Sequence, residues 1–358
     1  MAKKYNFYAG PAILPQEVMK KAQAELLDLN GIGLSIMEIS HRSKDFEAVI
    51  NGAEAKIRSL LGVPENYTIM FLQGGASLQF GMIPMNLLKG KKADYVHSGD
   101  WAKKAIKEAK LFGTVNIAAS SEDKSFNYIP EKFGFSPDAQ YVHLTSNETI
   151  GGIQWRKFPD TNGVPKVIDM SSDIFSRKID FSDVGLIYAG AQKNIGPAGV
   201  TLVIMRNDLI EACADGVTTM LSYKTHAKEK SLYNTPPCFA IYIVKLVMDW
   251  IEAQGGLAAV EKTNELKAKT IYDAIDNSNG YYKGTAAIKD RSRMNVTFRL
   301  PSEALEEKFV NDAKKEGFIG LKGHRSVGGC RASIYNAMNL EGVKALVRFM
   351  EKFAQENK

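Results

Sequence analysis

The chain has 358 residues, which at roughly 150 residues per domain suggests two domains or one large α/β domain with an appendage. Hydrophobic residues make up 45% and charged residues 24%, ordinary globular values that exclude collagen, a coiled coil and wholesale disorder. The net charge of +6 is a mild excess spread along the length, with no basic block or tail, and it does not suggest nucleic acid as a partner.

No apolar run approaches the ~20 residues that span a bilayer, so no membrane segment is expected. The start MAKKYNFYAGPAILP lacks the apolar core of a secretion signal, and a cytoplasmic location is the expectation. Cys213, Cys238 and Cys330 are odd in number and far apart. They supply neither a disulfide framework nor a CxxC metal ligand pair, so reduced thiols and no metal are expected.

In chain order, the Gly- and Pro-rich segment 1–15 comes first, able to drape across two domains, with Pro15 suited to the start of a helix. Phe46, Val49, Ile50, Ala53, Ile57, Leu60 and Leu61 follow helical spacing, stopped by Gly62 and Pro64. Short β-branched runs follow at Thr68–Leu72, Tyr95–His97, Tyr141–Leu144, Val167–Asp169, Leu186–Tyr188 and Val200–Met205, and read as buried strands. Strands alternating with helices from about residue 66 to 210 predict a mostly parallel sheet with helices on both faces. Its binding crevice should lie at the C-terminal ends of the strands. From about residue 258 the texture changes to a long helix (Leu257–Ile275), a strand (Asn295–Leu300) and helices near 302–316 and 341–356. The predicted division is a large domain over 16–257 and a smaller α+β domain over 258–358, joined by segment 1–15.

Chemistry is then sought at the predicted sheet edge. Tyr188-Ala-Gly-Ala-Gln-Lys193-Asn-Ile-Gly-Pro-Ala-Gly199 runs a strand into a loop with one lysine among small residues. Most lysines are simply solvated, but an amine desolvated at a sheet edge has a lowered pKa and suits a Schiff-base nucleophile. Pyridoxal phosphate needs such an amine, together with an acid for its ring nitrogen, a phosphate cradle and a flat group over the ring. Asp169 ends the strand before the lysine strand and is the candidate acid, although strand-end Asp is often only a turn former. Phe71-Leu-Gln-Gly-Gly75-Ala76-Ser77 breaks a strand at two glycines and opens a helix, a geometry that can hold a phosphate; the plain alternative is an ordinary turn capped by Ser77. Trp101 follows His97-Ser-Gly-Asp100 on the first turn of a helix, where it could stack on a ring or be an ordinary core residue. Thr149, in Asn147-Glu-Thr149-Ile-Gly-Gly152, could bond the ring hydroxyl or a phosphate oxygen, although plain turn chemistry explains the segment too. Two basic clusters, Ser40-His41-Arg42-Ser43 and Lys322-Gly-His324-Arg325-Ser-Val-Gly-Gly-Cys-Arg331, suggest an anionic substrate, although scattered surface charge would be preferred for either cluster alone; the glycines of the second favour a loop that holds Arg325, Cys330 and Arg331.

The segments NFYAGPAILP, SHRSKDF, FLQGGASLQF, SNETIGGI, IYAGAQKNIGPAG, YNTPP and KGHRSVGGCRASIYNAM together resemble the phosphoserine aminotransferase family, class V, fold-type I enzymes that use pyridoxal 5'-phosphate. They run in the family's order from residue 6 to about 340. The resemblance implies an α/β fold with a mostly parallel seven-stranded sheet flanked by helices and a smaller α+β C-terminal domain. It implies Lys193 as the Schiff-base lysine that shuttles the proton and Asp169 as partner of the ring nitrogen. Trp101 would stack on the ring, Ala76, Ser77 and Gln192 would hold the cofactor phosphate, and Thr149 the ring hydroxyl region. Asn234 and Thr235 of YNTPP would reach the cofactor phosphate of the neighbouring subunit of a homodimer. His41 and Arg42 from the neighbour, with His324 and Arg325, would hold the substrate phosphate or the distal carboxylate of glutamate, and Arg331 would clamp the α-carboxylate. Some relatives carry arginine where Ser77 stands here.

The implied reaction exchanges the amino group between O-phospho-L-serine and 2-oxoglutarate, giving 3-phosphohydroxypyruvate and L-glutamate. The family also acts on phosphorylated hydroxythreonine in pyridoxine synthesis. One rival is a class V lyase such as a cysteine desulfurase, with Cys330 as nucleophile, its thiol activated by Arg325 and Arg331. A second is a binding or regulatory protein that keeps fold and cofactor without turnover, which loss of Lys193 or Asp169 would indicate; both are present.

Overall fold

The computed structural model describes residues 4–357. The β-branched runs assemble into one seven-stranded sheet. In chain order its strands are β1 (Tyr67–Leu72), β2 (Lys92–His97), β3 (Thr114–Ser120), β4 (Val142–Thr145), β5 (Lys166–Asp169), β6 (Val184–Gly190) and β7 (Thr201–Arg206). In space they run β1-β7-β6-β5-β4-β2-β3, with β7 antiparallel to both neighbours and the remaining pairs parallel. A sheet covered on both faces needs no polar alternation, which is why VGLIYAG of β6 is buried at every position. The sequence reading missed β3 because TVNIAAS is an edge strand with a partly exposed first half, so it shows neither a continuous apolar run nor clean alternation.

The predicted alternation of strands with helices holds only for the first half of its window. Between β3 and β7 the connections contain no α-helix among the described residues. That face of the sheet is covered instead from outside the window, by helices Lys44–Leu61 and Cys238–Ala253. Their Ile50, Ile57, Ile243 and Val247 share one core with Ile168, Ile187 and Ile204. On the other face, helices Gly75–Leu87 and Asp100–Ala109 bring Phe80, Ile83 and Ile106 against Val167, Leu186 and Val203. Consecutive residues such as Leu186 and Ile187 thus enter opposite cores, as the pleat requires.

The C-terminal part has its own antiparallel sheet of β8 (Lys283–Gly284), β9 (Asn295–Arg299) and β10 (Cys330–Ser333). Helices Gly256–Asp276, Glu303–Lys315 and Leu340–Glu356 surround it. Phe309 centres this core, with ring centroids 5.8, 5.2 and 5.2 Å from Phe298, Phe349 and Phe353. The sequence reading placed Cys330 and Arg331 in a glycine loop; both stand on β10. The N-terminal segment runs from one sheet to the other. Tyr5–Asn6 pairs in parallel with Phe318–Ile319, and the Ala12 N–H then donates to the Gln192 carbonyl at 2.9 Å.

Candidate active site

The chain builds β2, steps outward to β3 and returns to lay β4 on the other side of β2. In an α/β sheet, this reversal opens a crevice at the C-terminal strand ends. The segments after β2 and β4 carry Trp101 and Thr149, the end of β5 carries Asp169, and the turn after β6 carries Lys193.

Lys193 points into this crevice. Its Nζ donates to Thr149 Oγ1 at 3.0 Å and stands 5.2 Å from the centre of the Trp101 ring. Burial lowers the amine to about 8; Arg331 pushes the same way, while Asp169 and Glu148 oppose. An amine held this low is partly neutral near pH 8 and therefore nucleophilic. Asp169 is buried, and burial raises its carboxyl above the usual range against the opposing bond from Ser171 and the charge of Lys193. The Ser171 N–H donates to Asp169 Oδ1 at 2.9 Å and fixes the side chain at the strand end.

The helix Gly75–Leu87 begins directly after β1, and its N-cap is Gly74 at φ 85°, with no side-chain cap. Ser77, the cap suggested by the sequence, lies inside the first turn instead. A residue with a side chain at position 74 would be strained by the left-handed backbone, and its Cβ would meet Leu78 Cβ at 2.6 Å. The uncapped first turn leaves its N–H groups, including those of Ala76 and Ser77, free for an anion. Gln192 sits beside Lys193, its carbonyl tied to the N-terminal segment.

Arg331 on β10 donates through Nη1 to the Thr149 carbonyl at 3.4 Å, so Thr149 bridges the lysine and the arginine. Its Nε is buried and without a hydrogen-bond partner. A cavity of about 490 Å³ opens beside it, lined by Lys124, Ile150, Arg299, His324 and Val327 among others. His324 Nδ1 lies 2.7 Å from the Ser326 hydroxyl, which donates to Asp100 Oδ2 at 3.1 Å. Burial, followed by Arg331, lowers the His324 pKa. Arg325 is exposed.

Four candidates are not brought to the Lys193 cluster by any hydrogen bond or ion pair within the described chain. His41 and Arg42 precede helix Lys44–Leu61, with His41 Nε2 buried and unpartnered. Asn234 donates to the Thr235 carbonyl at 3.3 Å and lines a separate cavity of about 190 Å³ with Gln73, Leu78 and Met220. Cys330 is buried, and burial raises its thiol far above the ordinary range. That speaks against the nucleophile a desulfurase needs.

Sequence reasoning missed Glu148. It lies inside the Asn147–Gly152 segment already singled out, but only the fold brings its carboxylate to the backbone of Trp101 and Ala102, at 3.3 and 3.1 Å. It also passed over Lys267, a fully buried lysine whose Nζ donates to the Ile334 and Tyr335 carbonyls at 2.9 and 2.8 Å.

The donor set fits pyridoxal 5'-phosphate: a pKa-lowered amine, a buried carboxyl, an indole over the amine, and an uncapped helix start at the same sheet edge.

Comparison with known proteins agrees. The sequence model of the class V aminotransferases matches residues 4–346. Curated relatives named phosphoserine aminotransferase from Desulfosudis oleivorans and Lysinibacillus sphaericus are each 58% identical over 356 residues, covering 99% of this chain and 98% of theirs. The solved phosphoserine aminotransferase of Bacillus circulans subsp. alkalophilus superposes with a TM-score of 0.98 at 55% identity, covering 99% of both chains. That of Trichomonas vaginalis, described as PLP bound, gives 0.93 at 42% identity, covering 98% of this chain and 100% of that one. The chain belongs to the class V aminotransferases, a family of pyridoxal-phosphate enzymes, and within it to the phosphoserine aminotransferases.

Proposed function

We propose that this enzyme transfers the amino group between O-phospho-L-serine and 2-oxoglutarate, giving 3-phosphohydroxypyruvate and L-glutamate in L-serine biosynthesis, and that it also takes 4-phosphohydroxy-L-threonine in pyridoxine biosynthesis. The observation that carries the reading is the lowered amine of Lys193, bonded to Thr149, which Arg331 bonds from the other side. Bound pyridoxal phosphate would supply the carbonyl for covalent attachment and an electron sink for the substrate Cα–H bond.

Lys193 would hold the cofactor and would carry the proton to and from the substrate Cα. Asp169 would pair with the ring nitrogen, Trp101 would stack on the ring, Thr149 would bond its hydroxyl, and Ala76, Ser77 and Gln192 would hold its phosphate. Arg331 orients the α-carboxylate, while His324 and Arg325 face the substrate phosphate.

A homodimer is part of the proposal, with His41, Arg42, Asn234 and Thr235 completing the neighbour's site. Its support is the exposed apolar segment before His41, where Leu27 is 84%, Leu34 50% and Met37 63% exposed. The division into 16–257 and 258–358 and a cytoplasmic location belong to the same reading. No helix among the described residues is long and apolar enough to cross a membrane.

The test is the visible spectrum of the purified protein before and after O-phospho-L-serine is added without a keto acid. A yellow band that bleaches supports cofactor, substrate and first half-reaction together. A band unmoved by phosphoserine removes the substrate assignment, and no band after reconstitution removes the whole reading.

A further inference from the structure

The helix that carries Trp101 has no cap of its own. Its N-cap is Gly99, which has no side chain to offer, yet its first turn is not left to water. Glu148, 1% exposed, reaches across the crevice from the segment after β4. Its Oε2 accepts the Trp101 N–H at 3.3 Å and its Oε1 the Ala102 N–H at 3.1 Å. A carboxylate at a helix N-terminus satisfies orphan donors and meets the positive end of the dipole. Here it comes from 46 residues further along the chain.

The approach is close enough to decide the residue at position 99. A Cβ there would lie 2.5 Å from Glu148 Cδ and 2.6 Å from Oε2, so glycine is needed to admit the carboxylate. The next residue, Thr149, holds Lys193 Nζ at 3.0 Å. Two consecutive side chains thus anchor two different parts of the site, the ring-stacking helix and the reactive amine. The indole Nε1 is buried without a hydrogen-bond partner, so it contributes no bond of its own to fixing the ring. Burial raises the Glu148 carboxyl to about 7, with Asp169 and Asp100 adding to the rise and the two backbone bonds opposing it.

We infer that Glu148 is a positioning residue that sets the height and tilt of Trp101 over the cofactor ring. This rests on the pyridoxal-phosphate reading above. A misplacement of about 1 Å at such a site can cost on the order of 100-fold in rate.

The test uses the reconstituted holoenzyme and reads the circular dichroism of its visible cofactor band, which reports ring orientation, beside kcat and KM. Glu148→Gln keeps one acceptor but turns an amide donor toward a backbone N–H. It is expected to keep the yellow band, change the dichroism by about twofold or more, and lower kcat about tenfold with KM for phosphoserine little changed. Gly99→Ala, which crowds the same carboxylate from the other side, should reproduce the change. In a Trp101→Phe background, Glu148→Gln should add little, because the two act as one unit. Unchanged dichroism in Glu148→Gln, or fully additive losses in the double variant, would overturn the inference. Absence of the yellow band in the unsubstituted protein would instead remove the cofactor reading on which it stands.

Discussion

The crevice at the sheet edge and the loop 322–329 both carry the charged groups of the site, but in opposite states. In the crevice, burial pushes Lys193 down and Asp169 and Glu148 up, each toward its neutral form. On the loop, Lys322 and Arg325 face water, and the loop is held at its base and by the Ser326 bond to Asp100. Arg299 pairs with Glu306 at 2.5 Å and donates to the Val327 carbonyl at 2.9 Å, while the Gly329 N–H donates to Glu306 at 3.2 Å. Burial therefore decides the role. A desolvated amine becomes a nucleophile, whereas a solvated guanidinium stays charged and able to receive an anion.

The contrast breaks first at Lys193. Lys193→Ala should still bind the cofactor yet lose amino transfer by about 10⁴-fold or more, the scale of removing a covalent catalyst. Single-turnover formation of keto product is the measurement, and turnover at the original rate would end the crevice mechanism. Arg331→Ala comes next, since Arg331 stands between the two regions. It should lower kcat/KM by about 100-fold for phosphoserine and glutamate alike, as expected for a partly buried charge-assisted contact; a loss confined to one substrate would contradict the α-carboxylate role. Arg325→Ala tests the loop alone. It should weaken phosphoserine about 30-fold, or ~2 kcal/mol, and unphosphorylated serine hardly at all. Equal losses would take the phosphate away from the loop.

The amine itself gives a pH prediction. Lys193 at about 8 against 10.5 for an ordinary lysine means that the free amine appears as pH rises through 8. Capture of pyridoxal phosphate by the apoprotein should speed up about tenfold between pH 7 and 9 and then level off; a rise continuing to pH 10 would show a solvated lysine. The linkage has the same sign: the unfolded chain binds more protons between about pH 8 and 10.5, so this group adds stability as pH climbs through that window. The smallest effect belongs to the exposed periphery. The Arg206–Asp208 pair, 2.7 Å apart with Asp208 61% exposed, should contribute under about 1 kcal/mol, so Asp208→Asn should barely move a denaturation midpoint.

Much of the sheet was legible because its strands are buried on both faces and so read as apolar runs. β3 was not, since an edge strand shows half its surface to water. The helices Lys44–Leu61 and Cys238–Ala253 were assigned no place on the sheet, because nothing local in a helix says which face of a distant sheet it will cover. Lys193, Asp169, Trp101 and Thr149 could be singled out since each directly follows or ends a strand run. Arg331 was found but misplaced, the glycines before it suggesting a loop where β10 had already begun.

What the sequence by itself determined is the inventory: a lysine among small residues, a strand-ending acid, two glycines before a helix, and motifs specific enough to name a family. These are local facts of composition and spacing, and they survive without knowledge of packing. Only the tertiary structure decided that Glu148 caps a helix through Ala102, 46 residues earlier in the chain, that Cys330 is a buried thiol with a raised pKa, and that Lys193 is held near 8. Desolvation and close approach depend on which distant segments surround a group, and that surrounding exists only once the chain has folded.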